Sequence, residues 1–135
     1  MDRKLDDVKN MKVGRYIIIE EVACRITNID HSKPGKHGGA KFRIEGMGLF
    51  DGIRKSIIKP AGQNVEVPLI DKRNAQVLAI VGSSVQLMDM ATFETFELPM
   101  PEDQEIQSLL SEGTEVTYME VMGRRKILQA KGKGD

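Results

Sequence analysis

The chain has 135 residues, 40% of them apolar and 30% charged, with 20 basic residues matched by 20 acidic ones. No apolar run approaches the roughly 18 residues of a membrane-spanning helix, and the polar start Met1-Asp2-Arg3-Lys4-Leu5-Asp6-Asp7 has no signal-peptide core. The single cysteine, Cys24, excludes an internal disulfide and fits a reducing, cytoplasmic setting.

The zero net charge hides an asymmetry. Residues 1–69 carry 13 Lys and Arg against 9 Asp and Glu, and residues 70–135 carry 7 against 11. A basic half joined to an acidic half points to an anionic partner for the first half, although drift between two soluble domains gives the same pattern.

In chain order the pattern is β almost throughout. A first strand is expected at residues 15–19. Val22, Cys24 and Ile26 then alternate with Glu21, Arg25 and Thr27, and Phe42 and Ile44 alternate with Lys41, Arg43 and Glu45. Period-two alternation places one set on a core face and the other in water. Between these strands lies His31-Ser32-Lys33-Pro34-Gly35-Lys36-His37-Gly38-Gly39-Ala40, a composition hostile to helix or strand interior. It reads as an exposed loop at a hairpin tip. Further strands are expected at 53–59 and 64–67, and several short strands at this spacing suggest a small barrel.

Pro68-Leu69-Ile70-Asp71 is the expected boundary. Strands follow at 76–81, 85–90 and 93–98. Pro101-Glu102-Asp103 then opens a helix with an apolar stripe of Ile106, Leu109 and Leu110, closed by Gly113. Two last strands, 115–122 and 125–130, flank a turn at Gly123-Arg124. Three strands, a helix and two strands match an OB-type barrel.

Within the loop, Lys33-Pro34-Gly35-Lys36 sets proline and glycine at the centre of a type II turn, carrying Lys36 round the bend. No acid lies between His31 and Ile44, so Lys33, Lys36, Lys41 and Arg43 are expected to lack a local counter-charge. A P-loop is excluded, because Asp30 stands at its first glycine and His37 at its hydroxyl. A metal site built from His31, His37 and Cys24 lacks ligand spacing. Gly35-Lys36-His37-Gly38 fits the G-x-x-G of a KH module, but KH loops join helices. Contact with RNA phosphate and a plain soluble hairpin tip both remain open on these residues.

Ser32-Lys33-Pro34-Gly35-Lys36-His37-Gly38 closely resembles the modification loop of the translation initiation factor 5A family, in its archaeal form. The likeness continues through Val65-Glu66-Val67-Pro68, Gln76-Val77-Leu78-Ala79-Ile80 and Tyr118-Met119-Glu120-Val121-Met122-Gly123-Arg124-Arg125-Lys126, and so spans nearly the whole chain. Eukaryotic members usually have threonine in place of Pro34 and histidine in place of Gly39.

The resemblance implies an all-β chain of two small barrels. Residues 1–69 would form an SH3-like domain carrying the modification loop (31–40), and residues 70–135 an OB-fold with one short helix. It implies that Lys36 is converted to deoxyhypusine or hypusine by deoxyhypusine synthase, which takes an aminobutyl group from spermidine and uses NAD in its own active site. The chain would be the substrate of that enzyme, with no cofactor of its own. Lys33, Pro34, Gly35, His37 and Gly38 would form the loop around Lys36, and Lys33, Lys41 and Arg43 would contact RNA. The family binds the ribosome and peptidyl-tRNA and relieves stalling, notably at proline runs. A general single-stranded RNA-binding protein of OB type is the alternative, but the interleaved aromatic and basic residues it needs are missing. An enzyme would need converging carboxylates or a nucleophile–base pair, and neither is present.

Overall fold

In the computed structural model, which describes residues 2–32 and 39–133, residues 3–7 already pair as strand despite having no apolar alternation. Strand β1 (Arg3–Asp7) runs antiparallel to β6 (Asn64–Pro68), with Arg3 opposite Pro68 and Asp7 opposite Asn64. Its charged residues and the exposed Leu5 gave no period-two signal; the ladder to β6 holds it extended. Strands β2 (Tyr16–Ile19), β3 (Val22–Ser32), β4 (Lys41–Gly48) and β5 (Arg54–Pro60) form a four-stranded antiparallel sheet in that order. This curled half-barrel wraps a core of Val8, Met11, Ile17, Ile19, Cys24, Ile26, Ile44, Val65 and Val67.

The β2–β3 turn is two residues long, with Ile19 opposite Val22, and both Glu20 and Glu21 have positive φ, at 52° and 64°. Each acid has a cation within reach. Glu20 lies 3.6 Å from Lys55, and Glu21 lies 2.9 Å from Arg3.

One irregularity in β3 sets the faces of the sheet. Ile26 opposes Gly46, but Asn28 opposes Glu45, so Thr27 is a bulge. The inward set therefore shifts from Cys24 and Ile26 to Ile29 and His31. A Cβ on Gly46 would stand 2.9 Å from the Cys24 Cβ and 3.3 Å from the Arg25 carbonyl oxygen, so glycine is what lets β3 and β4 close on each other here.

The second unit, residues 70–135, is a five-stranded antiparallel sheet ordered β11-β10-β7-β8-β9. Its strands are β7 (Ile70–Val81), β8 (Ser84–Asp89), β9 (Thr95–Pro99), β10 (Thr114–Val121) and β11 (Arg124–Lys133). The helix α1 (Gln104–Leu109) stands between β9 and β10, and β11 and β9 approach each other, as in an OB fold. The core holds Ala75, Val77, Val85, Leu87, Leu98, Leu110, Val116, Tyr118 and Ile127. The two barrels and the short helix agree with the fold expected from the sequence.

Details differ. Strand β7 starts at Ile70 rather than residue 76, because Asp71, Lys72, Arg73 and Asn74 pair with β10 from Val121–Ile70 to Thr117–Asn74. Phe93, expected in a strand, has φ 63° in the turn before β9 and is 69% exposed. Asp103 caps α1, its Oδ1 accepting from the Glu105 and Ile106 amides at 2.9 and 3.2 Å. The helix stops at Leu109, which is exposed, so its buried stripe is reduced to Ile106 and the following Leu110. Gly113 does not close the helix; its positive φ serves the turn into β10. Among the described residues no helix is long and apolar enough to cross a membrane.

Since the neighbours of Gly46 are a core side chain and backbone, neither can yield easily. Gly46→Ala is expected to lower stability by about 1–3 kcal/mol, read as a lower denaturant midpoint for the first unit.

Candidate functional site

The β3–β4 hairpin carries the loop that the sequence singles out, and its backbone is paired up to the loop's edge. Pairing runs from Cys24–Gly48 to Ser32–Lys41. On the far side of β4, Lys41 opposes Pro60 of β5, and the Ala61 amide donates to the Ala40 carbonyl at 2.8 Å. The chain is thus fixed on both approaches to the tip. His31 and Ser32, expected in the loop, belong to β3. Lys33, Pro34, Gly35, Lys36, His37 and Gly38 lie outside the described residues.

Residues opposite one another share a face, so the register sorts the charges. Lys41 and Arg43 stand on the outer face with Asp30, Glu45 and, further from the tip, Arg25 and Arg54 on either side of Met47. Lys41 is exposed and makes no ion pair with a described residue. Arg43 differs from expectation: its guanidinium donates to the Glu45 carboxylate at 2.7 Å. Two residues apart on a strand, both side chains project from the same face, which a search for acids only up to Ile44 misses. The pair is solvated and contributes little stability, but it reduces the free charge at Arg43.

The inner face holds Phe42 and Ile44, as the alternation predicts, but also His31, which was expected in the loop. Ile29, Ile44 and Ile57 form one row across β3, β4 and β5, and His31, Phe42 and Lys59 form the next row toward the tip. The His31 and Phe42 rings stack, with centroids 4.2 Å apart and planes 6° from parallel. The signal lay in the spacing, since the step from Ile26 to Ile29 marks the bulge that puts His31 on this face.

Cys24, by contrast, is fully buried, and loss of solvent pushes its thiol pKa up, as expected for a core residue. Among the described residues no group of three or more His, Cys, Asp and Glu could hold a metal ion.

With this geometry in view, comparison with known proteins is decisive. Residues 5–63 match the family described as translation initiation factor 5A-like, N-terminal, and residues 69–131 match eukaryotic elongation factor 5A hypusine, DNA-binding OB fold. The translation initiation factor 5A of Methanothermobacter thermautotrophicus is 52% identical over 98% of this chain and 100% of its own length. The chain belongs to the translation initiation factor 5A family. Its relative from Pyrococcus horikoshii is also 52% identical, over 99% of each chain. The solved structure of the factor from Methanococcus jannaschii superposes with a TM-score of 0.91 at 46% identity, covering 98% of this chain and 99% of that one. A family protein from Naegleria fowleri gives 0.76 at 30% identity, covering 97% and 99%. The chain is therefore a translation factor and not an enzyme.

Two of the three aromatic residues of the factor's OB unit, Tyr118 and Phe96, are engaged internally, and Phe93 is exposed. The Tyr118 hydroxyl donates to Asp89 Oδ2 at 2.5 Å, inside the core. Asp89 also accepts from Arg73 Nε at 2.9 Å and from the Ala91 and Thr92 amides at 2.8 and 2.9 Å. The Arg125 guanidinium lies 4.6 Å from the Phe96 ring centre and grips Glu94 through two bonds of 3.2 Å. Tyr118 is unavailable to a base, and Arg125 covers Phe96. This arrangement braces the β8–β9 turn against β7 and β10.

The Tyr118 hydroxyl, aided by the turn amides and Arg73, holds the Asp89 carboxyl far below its ordinary value of 3.8. Burial, with Asp89 as acceptor, pushes Tyr118 up to about 12. Because the folded-state pKa of Asp89 is depressed, its stabilisation is complete above the unfolded value and is lost as pH falls below about 4. Asp89→Asn is expected to cost about 2–3 kcal/mol at neutral pH and to flatten the acid limb of an unfolding titration followed by NMR signals of residues 70–135.

Proposed function

We propose that this factor acts on the ribosome through a deoxyhypusine or hypusine side chain formed on Lys36. The observation that carries this reading is the basic Lys33-Pro34-Gly35-Lys36-His37-Gly38 segment, set at the end of a hairpin whose backbone is paired up to Ser32 and Lys41. Residues 1–69 are the loop-bearing domain, and residues 70–135 are an OB-fold that positions it. Deoxyhypusine synthase is the modifying partner, and peptidyl-tRNA on a cytoplasmic ribosome is the target. The peptide-bond chemistry stays with the ribosome.

The modification suits that role physically. Five added bonds in a zigzag lengthen the lysine by roughly 6 Å. A second amine joins the first on a stem thin enough to enter a crevice closed to backbone. Lys33, Lys41 and Arg43 contact RNA phosphates, fixing position without reading sequence. Of these, Lys41 keeps its whole charge available, whereas Arg43 must share with Glu45 or exchange it for phosphate. Holding the end of the tRNA in a reactive pose is worth several kcal/mol in barrier when orientation is limiting. With Tyr118 buried and Phe96 covered, the OB unit exposes a single ring among its described residues, Phe93, too few for the successive stacking that the rival reading of a general single-strand binder needs.

Intact mass of protein from its native source should show an aminobutyl gain at Lys36; an unmodified lysine there would sink the proposal. Lys36→Arg should abolish the factor's stimulation of proline-run synthesis without altering the fold. Ribosome binding should weaken with salt by roughly 0.7–0.9 in log–log slope for each phosphate contact, and Lys41→Gln should reduce that slope by about one contact.

A further inference from the structure

Phe93 costs the fold stability and gains it little. Its φ of 63° lies in the left-handed region, which is unfavourable for any residue with a Cβ and most of all for a bulky one. Its ring is 69% exposed, so burial does not offset that strain. Met90, in the same turn, is 46% exposed. Glycine or asparagine would suit this backbone better, so nothing inside the second unit calls for a phenyl ring here.

The turn that carries the two side chains is fixed throughout. Every backbone amide from Asp89 to Glu94 has an acceptor. The Asp89 amide donates to the Glu94 carbonyl at 2.8 Å, Met90 to the Asn74 carbonyl at 3.0 Å, and Phe93 to the Asp89 carbonyl at 2.8 Å. Ala91 and Thr92 donate to Asp89 Oδ1, and Glu94 to Thr92 Oγ1. Exposed apolar side chains on so rigid a backbone lose little freedom when they are covered, which is what a binding anchor needs.

Charge selects what covers them. Strands β8 and β9 and the turn between them carry Asp89, Glu94 and Glu97 and no Lys or Arg. Two guanidiniums reach the turn, and each is held by two carboxylates: Arg73 by Asp71 and Asp89, Arg125 by Glu94 and Glu120. Lys131 donates to Asn74 Oδ1 on the neighbouring strand. Four carboxylates against two guanidiniums repel a phosphate, so a nucleotide is disfavoured even though its base could stack. An apolar pocket in a protein, basic at its rim, matches both the side chains and the charge.

We propose that Phe93, with Met90 of the same turn, is an anchor that inserts into an apolar, basic-rimmed pocket of a protein on the ribosome. This rests on the reading that the factor binds the ribosome, and adds to it a contact from the OB unit to protein.

The test uses the full chain produced in its native source, so that Lys36 is in its natural state, titrated against ribosomes from that source. Phe93→Asn should weaken binding at least about tenfold, by the same factor at low and high salt. It should also raise the thermal midpoint of residues 70–135 by about 4 °C, because the strain is relieved. Phe93→Tyr should bind as the unaltered chain does. Phe93→Cys labelled with benzophenone maleimide, with the buried Cys24 out of the reagent's reach, should cross-link to ribosomal protein. An unchanged affinity, a lowered midpoint or a cross-link to RNA would overturn the anchor. So would a chain dimer in sedimentation equilibrium that Phe93→Asn abolishes, since the occupant would then be a second copy. If the unaltered chain does not bind ribosomes, the proposed function falls and the anchor with it. If it binds and Phe93→Asn binds equally, only the anchor falls.

Discussion

The antiparallel pairing of β3 with β4 is the constraint on which the rest of the first unit depends. It places the basic loop, decides which side chains face the core, and closes without a gap only because Gly46 has no side chain to hold the strands apart. The Thr27 bulge then rotates the outer half of β3 relative to the inner half. Were Thr27 paired with Glu45 in regular register instead of bulged, Ile29 and His31 would point to solvent while Asn28 and Asp30 faced Ile44 and Phe42. A single bulge thus separates the outer half into a charged face and an apolar face that ends in a stacked ring pair.

The two units are stabilised by different means. The first is held by an apolar core with a lone buried cysteine, and its ion pairs lie at the surface around Arg3, Glu20 and Arg43. The second places a carboxylate at its centre and satisfies it through Tyr118, Arg73 and two turn amides. Such a centre is worth little against an apolar equivalent, but it is costly to break and admits few alternative arrangements. The same turn displays Phe93 in a left-handed backbone conformation, a strain that the four bonds to Asp89 can hold.

Much of this was legible from the chain. Alternation around Cys24 and Phe42, the turn chemistry, and the order of strands and helix lead to two barrels, and the Lys-His-Gly loop with its flanking matches leads to the family. Strands made by pairing rather than by burial were not legible. β1 and the first half of β7 are polar or exposed, and only their partner ladders keep them extended. Phe93 misled because an aromatic next to strand residues looks like one of them until its φ is known. At the site, Arg43 looked unpaired because its partner, Glu45, lies two residues further along the same strand. The His31–Phe42 contact required knowing the register, and the register depends on a one-residue bulge that a propensity argument does not locate.

The bond from the Ala61 amide to the Ala40 carbonyl has a mechanical consequence. Beyond the bulge, residues 27–32 extend as an arm of roughly 20 Å, so a tilt of about 5° at its root would displace its end by roughly 2 Å. An arm supported along one edge only would swing by that much under thermal motion, enough to spoil the placement of a reacting group. Anchoring Ala40 to the turn after β5 stiffens β4, the strand on which the arm leans, out to the edge of the loop. Both approaches to the loop are thus held firm at its base, and sway at the root takes nothing from what the hairpin carries.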